Sequence, residues 1–419
     1  MKTVVTDRRR SGALKRQWCA IVIAWLAASL ANCAQAQGSL DKGYAFLDRM
    51  MDTYAKGSAP RLIQSFVSTP TFSTGTHAYT YDSDVAIIAL LRHGRRADIS
   101  RATVLGNALL YVQQHDPAND GRVRDAYDAQ RLVDADGSPH YTSADTHAGN
   151  MAWTGMALMQ LYHATGAQLF LAGAEQAANF VQTKLYDTRG AGGYMGGILG
   201  SGGVETWKAT EHNIDLYALF GMLAIATGTA NWNDDASHAL SLVQAMWDAK
   251  GRHFYIGTKD DGATINTSAA SPEDIQTWSY LATGLTAYQS SIDWSLAHLS
   301  ATSGDFAGLS FEVKDRSGVW FEGTAHAAEA LRVRNLFGDA QKAARLLSDV
   351  ESGQMRAPNA DGYGIDAASK DGLRTGEGSA YFAALHVGAT AWYCLARQSA
   401  NPFKFLVSSN GTTRSRPIP

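Results

Sequence analysis

Six times along the 419 residues, a polar and mostly acid-bearing cluster opens a stretch of small and apolar residues. The openings are Tyr81-Asp82-Ser83-Asp84, His147-Ala148-Gly149-Asn150, Glu211-His212-Asn213-Ile214-Asp215, Glu273-Asp274-Ile275-Gln276, Phe321-Glu322-Gly323-Thr324 and Gly376-Glu377-Gly378-Ser379. They recur at a loose period of roughly 45–70 residues, the mark of a repeated supersecondary unit. Carboxylates at the same end of several helices converge if those helices form a ring.

The stretches that follow are apolar around much of their circumference, as in Ala86-Ile87-Ile88-Ala89-Leu90-Leu91 and Leu216-Tyr217-Ala218-Leu219-Phe220. A helix of that kind is buried, and its many Ala, Gly, Ser and Thr residues let neighbours approach closely. The spacing predicts inner helices over 84–92, 150–165, 213–227, 273–289, 322–337 and 379–397. Amphipathic stretches alternate with them at 40–55, 100–114, 168–186, 233–249, 292–300 and 339–350, and each keeps one polar face for solvent. Gly94, Gly166, Gly228 and Gly338 read as left-handed helix stops. Gly284 reads as mid-helix, because Leu285 to Tyr288 continue the apolar pattern. Strand signals are confined to 190–203, 253–257 and 319–321, in loops just before inner openings. The expectation is an all-α chain of twelve helices in six pairs, with a few short β-hairpins at the rim.

Residues 1–36 read as a secretory signal peptide. Arg8, Arg9, Arg10, Lys15 and Arg16 precede an apolar run from Trp18 to Ala31, and Ala34-Gln35-Ala36 is an A-x-A cleavage site. The run of about 14 residues falls short of the roughly 20 that span a bilayer. Cys33 sits in a poor lipoprotein box, since Asn32 precedes it. A secreted or periplasmic protein without a stable membrane anchor is expected. Residues 37–419 show no Pro/Ser/Gly linker and read as one domain. Removing the leader takes away six of 36 basic and one of 39 acidic residues, which leaves a net charge near −8. Such a surface argues against nucleic acid as a partner. Only Cys394 remains outside the leader, so no intramolecular disulfide forms, and a buried apolar role suits it. Asp134-Ala135-Asp136-Gly137-Ser138 lacks the further ligands of a calcium loop and reads as a turn. With no His-Glu-x-x-His, paired cysteines or phosphate loop, neither a metal nor any other cofactor is expected.

Six inner and six outer helices with polar inner N-termini resemble the six-hairpin glycosidase superfamily, the (α/α)6 toroid. Tyr81-Asp82-Ser83-Asp84-Val85-Ala86, Trp320-Phe321-Glu322-Gly323-Thr324-Ala325 and Gly376-Glu377-Gly378-Ser379-Ala380 carry the likeness. It implies an enzyme that cuts or rearranges glycosidic bonds, with a minority of lyases and sugar epimerases. Glycosidic hydrolysis needs a carboxylic acid to protonate the leaving oxygen, usually opposite a second carboxylate. Glu211 and Asp215 stand four apart on one helix face, flanked by His212, Asn213 and Tyr217, and Trp207 offers a stacking surface. Glu211 is the first choice for the general acid, against a plain helix-cap role. Asp82, Asp84, Glu322 and Glu377 are candidates for the second carboxylate. Glu273 follows Pro272 and reads as a structural first turn. Trp153, Trp278, Trp320, Tyr194 and Tyr217 are candidate sugar platforms, and Asn150 is a further polar contact. The reading is a glycoside hydrolase of a poly- or oligosaccharide. The rivals are a polysaccharide lyase that uses His212, Asn213 and Tyr217, and a non-enzymatic glycan-binding toroid.

Overall fold

The computed structural model describes residues 35–406, apart from 269, 270 and 377. Twelve α-helices lie among them: α1 (35–52), α2 (Thr80–His93), α3 (Arg96–His115), α4 (Ala148–Thr165), α5 (Gln168–Leu185), α6 (Thr210–Thr227), α7 (Asn231–Ala245), α8 (Glu273–Thr283), α9 (Gln289–His298), α10 (Phe321–Arg334), α11 (Asp339–Arg356) and α12 (Val387–Arg397). Helices α2, α4, α6, α8, α10 and α12 pack each on the next, and α12 returns to α2, so they close an inner ring. Each of α3, α5, α7, α9 and α11 lies outside the inner helix that precedes it. Helix α1 completes the outer layer, with the Tyr44 hydroxyl donating to the Ala89 carbonyl of α2 at 2.9 Å. The fold is the (α/α)6 toroid.

The split between layers follows from side-chain pattern. In α4 every residue from Met151 to Leu161 is buried, because the helix meets neighbours on all sides. In α11 Ala343, Leu347 and Val350 are buried on one stripe while most of the rest faces solvent. Among the described residues no helix is long and apolar enough to cross a membrane.

Helix limits differ from the sequence reading at three corners. Gly284 is the left-handed C-cap of α8, with φ 68° and its amide on the Tyr280 carbonyl; the apolar residues beyond it belong to a 3-10 turn (Thr286–Tyr288). At the next corner Asn335 takes the left-handed cap at φ 52°, and Gly338 is the N-cap of α11 instead. The last inner helix starts at Val387 rather than at 379, since Leu373–Arg374, Ala380–Tyr381 and Leu385–His386 are short antiparallel strands. Cys394 is buried in α12, where burial pushes its thiol up.

The segments that lead into the inner helices carry small antiparallel sheets. One is β1 (His77–Tyr79), β2 (Ala126–Asp128) and β3 (Tyr141–Ser143); another is β4 (Thr146–His147), β5 (Gly197–Ile198) and β6 (Val204–Glu205). The 253–257 segment gives one short strand at His253–Phe254, whereas Phe321 is already helical and Trp320 makes only an isolated bridge to Ala368. Around 134–138 the chain makes a tight turn, in which the Gly137 amide donates to the Asp134 carbonyl at 3.0 Å.

Candidate active site

The N-terminal ends of the inner helices surround a cavity of about 450 Å3. Asp82 comes from α2, Gly149, Asn150 and Trp153 from α4, Glu211 and His212 from α6, Asp274 and Trp278 from α8, and Glu322 from α10. Tyr81 of α2 and residues of the connecting loops and short strands, among them Phe66, Phe72, Tyr79, His147, Trp320, Tyr381 and His386, extend the wall. Four carboxylates thus share one space lined with aromatic rings. Among the described residues no lysine or arginine lines it.

On the α2–α10–α12 side, acids and imidazoles alternate. His386, the N-cap residue of α12, places Nε2 3.0 Å from Asp82 Oδ1 and Nδ1 3.4 Å from Glu322 Oε2. Behind them His326 lies 3.7 Å from Glu322 Oε1 and 3.3 Å from Glu273 Oε2. These are close charge contacts rather than aligned hydrogen bonds. The Tyr81 hydroxyl does donate to Glu322 Oε1 at 2.6 Å. Burial alone would raise the Glu322 pKa, but His326, His386 and Tyr81 outweigh it and hold the carboxyl below its ordinary value. Burial likewise opposes charge on both histidines, and the neighbouring carboxylates overcome it and raise them. Glu322 is therefore an ionised carboxylate.

The α6–α8 side behaves in the opposite sense. Asp274 is buried, and Glu211, Glu273 and Glu322 add like charge, so its pKa is raised well above that of a free aspartate. Asp215, buried in α6, is raised by burial and by Glu211 and Asp274, against a smaller opposing contact from Trp153. Crowded carboxylates of this kind retain a proton.

A third wall is built on β4. His147 is clamped between Asp125, a very short contact to Nδ1, and Glu205, 2.8 Å from Nε2. Burial opposes its charge, but the two acids push its pKa up to about 9. His212 has no such partner: burial and the charge of His147 push it down to about 3, and its Nδ1 is unpaired. It is neutral. Asn150 donates to Asp125 at 2.7 Å.

Of the acids read from sequence, Asp82, Glu211 and Glu322 line the cavity, and Glu377 lies outside the described residues. Asp84 and Asp215 do not line it: both point into the ring, where Asp84 accepts from Thr154 at 3.0 Å and is raised by burial. His212, Trp278, Trp320 and Asn150 are at the wall. Trp207 sits behind it, its ring 6.1 Å from His147 and 5.6 Å from His212.

Three predicted contacts are elsewhere. Asn213 is buried and holds the 194 loop, accepting from the Tyr194 amide at 2.9 Å. The Tyr194 hydroxyl is spent on Asp235 at 2.9 Å. Tyr217 packs against the hydrophobic core. The trio His212, Asn213 and Tyr217 is therefore not assembled at the cavity. Asp274, His147, His386 and Tyr81 are the wall residues that a search for acid-led openings undervalues. The pattern His386-Val387, a histidine at the first apolar residue of a helix, was the available signal. Among the described residues no group of three or more His, Cys, Asp or Glu is arranged to hold a metal ion.

No protein-family model matches the chain, and no curated protein matches it in sequence. Solved structures do match in fold. The chain has the fold of the six-hairpin, (α/α)6-toroid superfamily. Cellobiose 2-epimerase from Bacillus thermoamylovorans superposes with a TM-score of 0.62 at 11% identity, over 84% of this chain and 98% of that one. A glycosidase variant in complex with glucose gives 0.61 at 13% identity, over 87% and 97%. The glycoside hydrolase family 76 mannosidase from Bacteroides thetaiotaomicron gives 0.57 at 12% identity, over 86% and 97%.

Proposed function

We propose that the chain is a carbohydrate-active enzyme and, within that class, a glycoside hydrolase. One observation carries the reading: Glu322 is held ionised while Asp274, in the same cavity, is held protonated. Two carboxyls pushed to opposite protonation states are what acid–base cleavage of a glycosidic bond requires. Asp274, raised by burial and by the neighbouring charge of Glu211, delivers its proton to the leaving oxygen. Glu322 acts as the base or the nucleophile. Trp278, Trp320 and Tyr381 offer apolar faces to the C–H surface of a pyranose.

Sugar epimerases share this fold, and epimerisation is the second reading. It needs a ring nitrogen able to take a proton from carbon. His386 is engaged by two acids, and His212, near 3, is a weak base at neutral pH. A uronate lyase has a further difficulty, since among the described residues no lysine or arginine lines the cavity to meet the substrate carboxylate. We also propose that residues 1–36 direct export, so the secreted chain should begin at Gln37 on N-terminal sequencing.

The deciding experiment incubates the protein with a panel of bacterial and plant glycans. It follows reducing ends, ultraviolet absorbance and epimer composition together. New reducing ends without absorbance support hydrolysis. Absorbance with them means a lyase, a changed epimer without cleavage means an epimerase, and binding without turnover means a glycan-binding toroid.

A further inference from the structure

The chain does not stop at α12. After Arg397 it turns back beneath the inner ring, with Ser399 in the left-handed region at φ 50°. It is tied there to the C-terminal ends of α4 and α8. Asn401 donates to the Leu281 carbonyl at 2.8 Å, and Lys404 Nζ to the Ala282 carbonyl at 2.5 Å. The Gln160 amide donates to the Lys404 carbonyl at 2.7 Å and accepts from the Leu406 amide at 3.1 Å. Carbonyls at helix ends have no partner within their own helix, so the segment satisfies groups that the ring leaves open.

Phe403 is the part of this segment that enters the ring. Its side chain is buried, and its ring lies 5.3 Å from Trp153, 5.4 Å from Trp278 and 6.4 Å from Trp392. Trp153 and Trp278 are at the cavity wall. Trp392 stacks on Trp278 at 5.6 Å and meets the His326 ring at 4.2 Å. Its indole N–H donates to the Tyr81 hydroxyl at 2.7 Å, and that hydroxyl donates to Glu322. A tyrosine hydroxyl has one hydrogen. With Trp392 supplying a hydrogen to its oxygen, Tyr81 directs its own at the carboxylate, and the two bonds strengthen one another.

We infer that the C-terminal segment 398–406 is a plug that positions Glu322, acting through Phe403, Trp392 and Tyr81. The inference rests on the role proposed above for Glu322. Phe403 and Trp392 are positioning residues; neither reaches the cavity's reacting groups. Deleting the Phe403 ring frees Trp392 to shift, and the Trp392→Phe change removes the donor to Tyr81 outright. Either way the Tyr81–Glu322 bond weakens and the carboxylate loses stabilisation.

The test reads the Glu322 titration by NMR on full-length protein labelled with side-chain carboxyl 13C-glutamate, assigned with Glu322→Gln. Wild type is compared with Trp392→Phe, Phe403→Ala and Phe403→Leu. We expect the Glu322 pKa to rise by about half a unit or more in Trp392→Phe and Phe403→Ala, and by less in Phe403→Leu. A group that merely filled space would lower thermal stability and leave the titration in place. Where Phe403→Ala does not fold, Phe403→Leu and Trp392→Phe give the same reading. Coincident Glu322 titrations in every folded variant overturn the inference. A shifted titration in a protein that turns over no glycan of the panel supports the plug and removes the hydrolase reading instead.

Discussion

Asp82 and His386 meet at 3.0 Å although 304 positions separate them in the chain, and the contact closes the ring from its first inner helix to its last. The space for that contact is made by Gly388. A Cβ at this position would fall 2.6 Å from Asp82 Oδ1, 2.8 Å from His386 Cε1 and 3.1 Å from Glu322 Oε2. The backbone of Gly388 is ordinary helix, so the glycine is there for room and not for conformational freedom. Gly388→Ala should keep its helix, since alanine favours it, while driving the three groups apart. Turnover is expected to fall by about 10²-fold, as for other displacements near 1 Å in an active site. Full activity with an unchanged circular dichroism spectrum would remove this triad from the mechanism.

The two sides of the cavity should answer differently to leaving-group chemistry. Glu322→Gln is expected to lower kcat by about 10²–10⁴-fold on every substrate. Glu211→Gln and Asp274→Asn should be severe on natural glycans and mild on aryl glycosides with acidic phenols, which need no proton to depart. The pH profile follows from the same assignment. Glu322 must be ionised, so activity falls as pH drops through its lowered pKa; Asp274 must be protonated, so activity falls as pH rises through its raised one. A plateau wider than free carboxylates would give is the expected outcome. Equal losses on all leaving groups for the Asp274 variant would contradict its role as acid.

Among the described residues the wall carries no lysine or arginine, which sets a charge rule for substrates. Asp82, Glu211, Asp274 and Glu322 face the space, and the wall histidines either are bound to acids or are neutral. A uronic acid ring should bind at least about tenfold more weakly than the corresponding neutral pyranose, a difference of roughly 1.4 kcal/mol. Competitive inhibition by matched pairs of neutral and uronic methyl glycosides measures it. Equal inhibition would mean that a cation reaches the site.

Most of the toroid was readable because each inner helix carries its own local marks. Apolar residues all round, a polar opening and a glycine stop define α4 and α6 without any knowledge of the other helices. The reading slipped where local signals overlapped. Leu285 to Tyr288 keep a helical pattern across Gly284, and only the left-handed cap shows that the chain breaks there. Glu377-Gly378-Ser379 looks like the other openings, yet α12 begins at Val387, after a strand pair that has no hydrophobic run to announce it. The site was legible in its inventory and not in its pairing. Acids at helix starts could be named, but the His326–Glu322–His386–Asp82 array depends on contacts between residues up to 304 positions apart. Asn213 and Tyr194 show the same limit from the other side: both are polar, both adjoin an opening, and each turns to hold a loop.

His147 makes the stability of the fold depend on pH in a definite direction. Asp125 and Glu205 lift its pKa from the ordinary 6.5 to about 9 against the opposing effect of burial. Folding therefore takes up a proton between those values. The stabilisation is complete below about 6.5, declines as pH rises, and is gone above about 9. Its full size is on the order of 3 kcal/mol. His147→Gln removes the titrating group and leaves Asp125 and Glu205 facing each other without a cation. Urea unfolding of wild type and variant at pH 6, 7.5 and 9 should show a stability difference that shrinks steadily toward the alkaline end. A difference that stays constant over this range would mean that His147 binds its proton equally in the folded and the unfolded chain, and that Asp125 and Glu205 do not raise it.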